Sequence, residues 1–259
     1  MSLRLVQLSD LHLYKDKDGL LAGVPTWSTF RAVLEQVRSR HGDFDYLILT
    51  GDLAQDEALE TYLMLREALG DWLDRCRIIP GNHDDRDNLR KAFPELFPNS
   101  ETALTFELLD GGWCIVGLDS HVPGETTGRV GGEQIDWLKS RLSGGEDLPV
   151  LMFIHHPPVP INVAWLDDLG LNESTGLIEL IENSPQMKMV CAGHVHQEFS
   201  GQIGAAAMCT TPSTCVQFSA RAEKAFDTRM AGYRTFTLDA NDYRTEVHRL
   251  TKVVTFSTD

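Results

Sequence analysis

Five short apolar runs in this chain each end on side chains able to bind a metal ion or move a proton, and that pattern constrains the fold more than any other feature. Leu5-Val6-Gln7-Leu8-Ser9 runs into Asp10-Leu11-His12, and Tyr46-Leu47-Ile48-Leu49-Thr50 into Gly51-Asp52. Ile78-Ile79-Pro80-Gly81 leads to Asn82-His83-Asp84, and Val150-Leu151-Met152-Phe153-Ile154 to His155-His156. Met189-Val190-Cys191-Ala192 leads to Gly193-His194-Val195-His196. Short apolar runs bounded by turn residues read as buried strands. In open α/β sheets, ligands bind outside the carboxyl ends of the strands. Five such ends meeting at one crevice would assemble a polar site from residues scattered along the chain.

Helical segments alternate with these strands. Thr26 can cap a helix carrying Phe30, Val33, Leu34 and Val37 on one face, at the i, i+3, i+4, i+7 spacing of a helix packed on a sheet. The stretch from Asp56 to Leu69 predicts a second helix with Leu59, Tyr62, Leu63 and Leu69 turned inward. Residues 85–97 read as helical and then broken by Pro94. Leu104–Leu109 and Trp113–Leu118, joined by Asp110-Gly111-Gly112, read as a hairpin ending at Asp119-Ser120-His121. Helices are expected at Gly132–Leu142 and Glu173–Asn183, and β structure after Phe199. Parallel βα units followed by antiparallel strands suggest an α/β fold of two facing sheets with helices outside. No repeat or linker divides the chain, so residues 1–259 read as a single domain, with 157–171 as a cap segment carrying Trp165.

The chemistry follows from residue type. Asp10 and His12 lie two apart, as do His194 and His196, and extended backbone would point each pair to one side. Asp52 follows a glycine that lets the chain turn sharply. A carboxylate can bridge two metal ions, and a two-metal site can clamp both oxygens of a phosphoryl transfer. The candidate set holds carboxylate, amide oxygen and imidazole but no thiolate. That disfavours Fe–S clusters and structural zinc, and the imidazoles disfavour Ca²⁺ or Mg²⁺. Mn, Fe, Zn and Co remain.

Asp10-x-His12, Gly51-Asp52, Gly81-Asn82-His83-Asp84, His155 and Gly193-His194-x-His196 together resemble the signature of the calcineurin-like metallophosphoesterases. His155-His156-Pro157-Pro158, the Trp165 segment, Gly193–Glu198 and Pro212–Phe218 resemble the bacterial class III cyclic-nucleotide phosphodiesterases; glycerophosphodiesterases share the His-His-Pro-Pro element. The resemblance implies a four-layer α/β/β/α sandwich with two facing mixed sheets. It implies two divalent or mixed-valence transition-metal ions. Asp10, His12 and His196 would hold the first, Asn82, His155 and His194 the second, and Asp52 would bridge them. It also implies that His83 faces the phosphate, protonating or stabilising the leaving oxygen, with Asp84 orienting it. Substrate would meet Asn82, His83, His196 and Trp165. The expected reaction is hydrolysis of 3′,5′-cyclic nucleotides, with glycerophosphodiesters or broader diesters as the alternative. A non-catalytic interaction scaffold needs neither His83 nor a bridging Asp52, so the intact set counts against it.

Each residue also has a plainer reading. His156 turns away from its ligand-type neighbour, and packing suits it better than metal binding. Trp165 and Phe218 are core or cap anchors as readily as platforms for a nucleobase. Asp119 and His121 fit a solvated rim as well as a substrate contact, and His41 and His248 read as surface residues. The net charge of −15 argues against nucleic-acid polymers as partners, since such binding needs Lys and Arg to neutralise phosphates. A small phosphodiester remains compatible, because bound metal can dominate local charge. Homodimerisation is left open. No apolar run of membrane-spanning length or secretory signal is present, so no membrane partner is expected. Five cysteines without C-x-x-C spacing fit a cytoplasmic location.

Overall fold

The structure, a computed structural model, describes residues 2–98, 103–143, 148–221, 225–240 and 242–251. Its strands are β1 (Leu3–Leu8), β2 (Leu20–Leu21), β3 (Val24–Pro25), β4 (Tyr46–Thr50), β5 (Cys76–Ile79), β6 (Phe106–Asp110), β7 (Trp113–Leu118) and β8 (Val150–Ile154). They continue with β9 (Met187–Ala192), β10 (Phe199–Ile203), β11 (Ala206–Thr210), β12 (Gln217–Phe218), β13 (Phe226–Asp227), β14 (Gly232–Leu238) and β15 (Tyr243–Arg249). The α-helices are α1 (Thr26–His41), α2 (Leu59–Leu69), α3 (Arg86–Ala92), α4 (Gly132–Leu142), α5 (Ala164–Asp167) and α6 (Thr175–Glu182).

One sheet has the order β15-β14-β1-β4-β5, the other β10-β11-β9-β8-β7-β6. Within the first, β1, β4 and β5 run parallel, and β14 closes antiparallel on β1. Within the second, β7, β8, β9 and β11 are parallel, with antiparallel strands at both edges. The five site-bearing strands are therefore two parallel blocks, β1-β4-β5 and β8-β9, one in each sheet.

Alternate residues of each strand belong to different hydrophobic clusters, and this sorting stacks the layers. Leu47 and Leu49 join Phe30, Val33, Val37 and Tyr62 of the helices, while Ile48 between them faces the other sheet with Leu5 and Ile79. On β8, Val150, Met152 and Ile154 pack on Leu138, Leu177 and Ile181, while Leu151 and Phe153 meet Phe236 and Ile48 between the sheets. Helices, sheet, sheet and helices thus form four layers, as expected. Strands covered on both faces must be apolar throughout, which is why they read as continuous runs. Full burial of one such side chain contributes about 1.5–3 kcal/mol.

Three local expectations need correction. Helix α2 begins at Leu59 rather than Asp56, because Glu57 sits at a φ of 53° and Asp56 Oδ1 accepts hydrogen bonds from Ala58 N and Thr61 Oγ1. Its inner face is Thr61, Tyr62, Leu65 and Leu69, while Leu63 is 46% exposed. Thr26 is the first residue of α1 rather than its cap. His41 and His248 are not free surface side chains, since their rings pack on one another at 4.6 Å and both meet Tyr233. Among the described residues, no helix is long and apolar enough to cross a membrane.

Candidate metal centre

The loops that follow three of the five strands, β1, β4 and β9, are held in an uncommon backbone conformation. Asp10, His12, Asp52, His194 and His196 all have positive φ, between 47° and 68°. Side chains two apart were expected to align through extended backbone; each pair instead aligns by two left-handed residues around a buried apolar one, Leu11 or Val195. The loop after β1 is bonded to that after β4, with Asp10 N donating to Gly51 O at 3.0 Å and His12 N to Asp52 O at 2.9 Å. Left-handed conformation costs a non-glycine residue free energy, and it persists where the surroundings over-determine it. Gly81 is required for a different reason: a side chain there would overlap the Asp52 carboxylate and the His155 ring.

All seven candidate ligands come together. Asp52 stands between two groups, with Oδ2 3.7 Å from His12 Nε2 and Oδ1 3.4 Å from His155 Nε2. On one side His196 Nε2 lies 3.4 Å from Asp10 Oδ1 and 3.0 Å from His12 Nε2. On the other, His155 Nε2 lies 3.3 Å from Asn82 Oδ1, and the rings of His155 and His194 are 5.1 Å apart. Donor atoms of Asp10, His12, Asp52 and His196 all fall within 4.8 Å of one another, as do those of His155, His156 and His194.

Hydrogen bonding to the far side of each ring fixes which nitrogen is available. Nδ1 of His155 donates to Thr50 O, and Nδ1 of His196 to Val216 O, both at 2.7 Å. His12 Nδ1 lies 2.7 Å from Gln55 Oε1. Nε2 is thereby the nitrogen each ring turns inward, the arrangement found when the outer nitrogen of a metal-binding imidazole is tied to oxygen. The two facing Nε2 atoms of His12 and His196 repel unless a cation or proton lies between them, and both ring nitrogens of His194 are buried without a hydrogen-bond partner among the described residues. These observations fit a pair of metal ions. His156 is close by, but its Nδ1 is bonded to Ser120 Oγ and its Nε2 to Thr126 O, so neither nitrogen is free to coordinate.

Electrostatics agree. Burial holds His12 down at about 4 and, with His155 beside it, His194 at about 3, so both are neutral ligands near pH 7. Burial alone would raise the carboxyls of Asp10 and Asp52. The neighbouring imidazoles, His196 for Asp10 and His155 for Asp52, overcome it and hold both below the ordinary carboxylate range.

His83 and Asp84 lie beside this cluster but are not joined as expected. Asp84 makes no hydrogen bond to the His83 ring. It is fully enclosed, with Oδ1 accepting from Leu53 N, Ala54 N and Tyr62 Oη and Oδ2 accepting from Gly81 N at 2.8 Å. Asp84 therefore ties the loop after β4 to the loop after β5 and places His83 only through the backbone. The His83 ring is met instead by Gln55, whose Nε2 lies 3.1 Å from Nδ1. The sequence marks Gln55 by nothing more than its position three residues beyond Asp52.

The site has two unlike flanks. On one, the Phe218 ring lies flat on His196, with centroids 3.9 Å apart and planes at 9°, and Trp165 packs on Phe218 at 5.4 Å with its Nε1 donating to Ser219 O. Trp165 thus meets Phe218 edge to face, at an interplanar angle of 66°. On the other, a polar cleft of about 820 Å³ runs from Asn82 past His121. Arg86 lines it, but its guanidinium is held by both oxygens of the buried Asp119 and by His121 O. Asp119 is therefore a structural anchor rather than a solvated rim.

Residues 3–198 match the calcineurin-like phosphoesterase family. The chain is 36% identical over 251 residues to a 3′,5′-cyclic adenosine monophosphate phosphodiesterase, CpdA, of Vibrio vulnificus, covering 96% of this chain and 90% of that one. The CpdA of Escherichia coli K12 is 34% identical, covering 95% and 90%. Among solved structures, a dimetal phosphatase from Danio rerio superimposes with a TM-score of 0.67 at 14% identity, covering 94% of this chain and 98% of that chain.

Proposed function

The chain belongs to the calcineurin-like phosphoesterase family and is a metal-dependent phosphoric diester hydrolase, and on that premise we propose that it opens 3′,5′-cyclic nucleotides to nucleoside monophosphates at a dinuclear centre. The observation that carries the reading is Asp52, whose two oxygens face separate imidazole groups from opposite sheets. Asp10, His12 and His196 would hold one ion, Asn82, His155 and His194 the other, with Asp52 between them. When bound, such a pair supplies Lewis-acid charge for the phosphoryl oxygens and for the attacking water. Imidazole, carboxylate and amide donors without thiolate suit Mn, Fe, Zn or Co.

The chain's own residues would divide the remaining work. Asn82 and His83 follow directly from β5 and would orient the phosphate. His83 would stabilise charge on the departing oxygen, as preorganised donors do where charge develops. Phe218, backed by Trp165, offers an apolar wall suited to a nucleobase. Arg86 is committed to Asp119, so it adds no bidentate clamp for a dianionic monoester. The deciding experiment combines metal analysis with kcat/KM for a panel of cyclic nucleotides, glycerophosphodiesters and monoesters. We expect about two metals per chain and cyclic nucleotides first. Faster turnover of glycerophosphodiesters would move the substrate assignment, and monoesters ranking first would overturn the diester preference.

A further inference from the structure

One carboxamide touches two of the site's imidazoles. Gln55 Oε1 lies 2.7 Å from His12 Nδ1, and Gln55 Nε2 lies 3.1 Å from His83 Nδ1; the two rings meet edge to face at 5.2 Å. An amide oxygen only accepts hydrogen bonds and an amide nitrogen only donates them. Under the metal-centre reading, on which this inference rests, His12 coordinates through Nε2 and must carry its hydrogen on Nδ1. That hydrogen fixes Gln55 with its oxygen toward His12 and its NH₂ toward His83. His83 Nδ1 must then offer a lone pair, and the ring hydrogen sits on Nε2. Turning the carboxamide over would set its NH₂ against the His12 N–H, so the two rings lock one orientation between them.

We propose that Gln55 is a positioning residue that transmits the tautomer of His12 to His83, engaging His83 Nδ1 with its NH₂ and turning the His83 Nε2–H toward the substrate. The consequence is chemical. With Nδ1 engaged by the Gln55 NH₂, His83 meets the substrate as a hydrogen-bond donor through Nε2–H. In the cleavage step the water oxygen bonds to phosphorus and gives up a proton to solvent, the ester P–O bond breaks, and its electron pair leaves on the ester oxygen. His83 Nε2–H stabilises that charge, and the proton that finally neutralises the alkoxide comes from solvent.

The test reads the ring directly. In Zn²⁺-loaded enzyme with ¹⁵N-labelled histidine, long-range ¹H–¹⁵N correlations distinguish an Nε2–H tautomer from an Nδ1–H tautomer and from the cation. Wild type is expected to show the His83 hydrogen on Nε2, with Nδ1 accepting from Gln55. Gln55→Glu, which offers an acceptor to His83 Nδ1, is expected to move the hydrogen from Nε2 to Nδ1; Gln55→Leu is expected to leave mixed tautomers. Turnover of a cyclic nucleotide by Gln55→Glu should fall by about 10²-fold, the scale of losing one preorganised donor. Bis(p-nitrophenyl) phosphate, whose leaving oxygen needs little help, should lose less than about 5-fold. In a His83→Ala background at matched metal loading, Gln55→Leu should slow kcat by a smaller factor than it slows the wild type, because only the bond to His12 is then left to lose. The inference is overturned if His83 keeps its wild-type signature in both Gln55 variants. It is equally overturned if Gln55→Leu slows the His83→Ala enzyme as much as the wild type, which would place its effect on His12 alone. Failure of wild type to cleave any phosphodiester would strike the functional reading instead, and the ring signature still decides the role of Gln55.

Discussion

Replacing Tyr62 with Phe removes a single oxygen from beneath the site, and its cost can be worked out from the contacts. The hydroxyl donates to Asp84 Oδ1 at 3.0 Å and accepts from Asp85 N at 2.9 Å, and the whole side chain is buried. Burial, followed by the charge of Asp84, pushes this hydroxyl well above the ordinary tyrosine range, so it is protonated and donating throughout the working pH range. Phe preserves the ring and its packing. What it leaves is an Asp85 N–H without an acceptor and an Asp84 oxygen with two donors in place of three. An orphaned buried donor costs about 1–3 kcal/mol, and a lost bond to a charged group about 1.5–3 kcal/mol. Because the two share one atom, a combined loss of about 3 kcal/mol is expected, not the sum of the upper limits. For a chain of this size that corresponds to a fall in Tm of roughly 6–12 °C. Differential scanning calorimetry at matched metal loading measures it. A change below about 2 °C would refute the idea that the Asp84 cluster is a principal tie between the β4 and β5 loops.

Other outcomes follow from the same geometry. Asp52→Asn should reduce the content of both metals, whereas His83→Ala should keep metal content and lower kcat by ~10²–10³; equal metal loss in the two variants would make His83 a ligand. In the metal-free protein, His12 and His194 have folded pKa values of about 4 and about 3, below the ordinary 6.5. Their contribution to stability is complete above about 6.5 and is lost as pH falls toward 4, with a combined slope of up to about 2.7 kcal/mol per unit. His155 runs the other way: burial opposes its protonation, but Asp52 raises it to about 9, so its contribution is intact below 6.5 and lost as pH rises through 9. Urea midpoints of apoprotein between pH 4.5 and 9 should therefore peak near neutrality, and a flat profile would contradict these burial effects. Trp165→Ala and Phe218→Ala should each reduce turnover of a cyclic nucleotide more than of a small chromogenic diester, with the Phe218 change at least as large; indifference to base size would remove the apolar wall from substrate recognition.

What the sequence discloses here follows the physics of burial. Strands covered on both faces must be apolar along their length, so β1, β4, β5, β8 and β9 stand out, and the polar residues that end them stand out by contrast. The backbone conformation of those ends is invisible, because nothing in Asp10-Leu11-His12 distinguishes extended chain from two left-handed residues. Leu63 is exposed because the inward face of α2 is centred on Tyr62, Leu65 and Leu69, and at about 100° per residue Leu63 falls well to one side of it; leucine spacing alone does not say which of two overlapping faces the sheet covers. Gln55 was overlooked because a glutamine carries no signal of its own; its importance comes from lying between two imidazoles that are far apart in sequence. Phe218 could be named but not ranked ahead of Trp165, since only the fold sets which ring touches His196.

The left-handed residues at the strand ends set stability and catalysis against one another. Each of Asp10, His12, Asp52, His194 and His196 gives up on the order of 1 kcal/mol or more to hold a conformation that glycine adopts freely. A directed-evolution campaign that screened metal-free protein for heat resistance would be drawn to glycine or asparagine at these five positions. It would return hardened folds with no centre left to load. Thermostabilising libraries for this scaffold belong on its outer helices, with those five positions frozen and every screen run on metal-loaded protein.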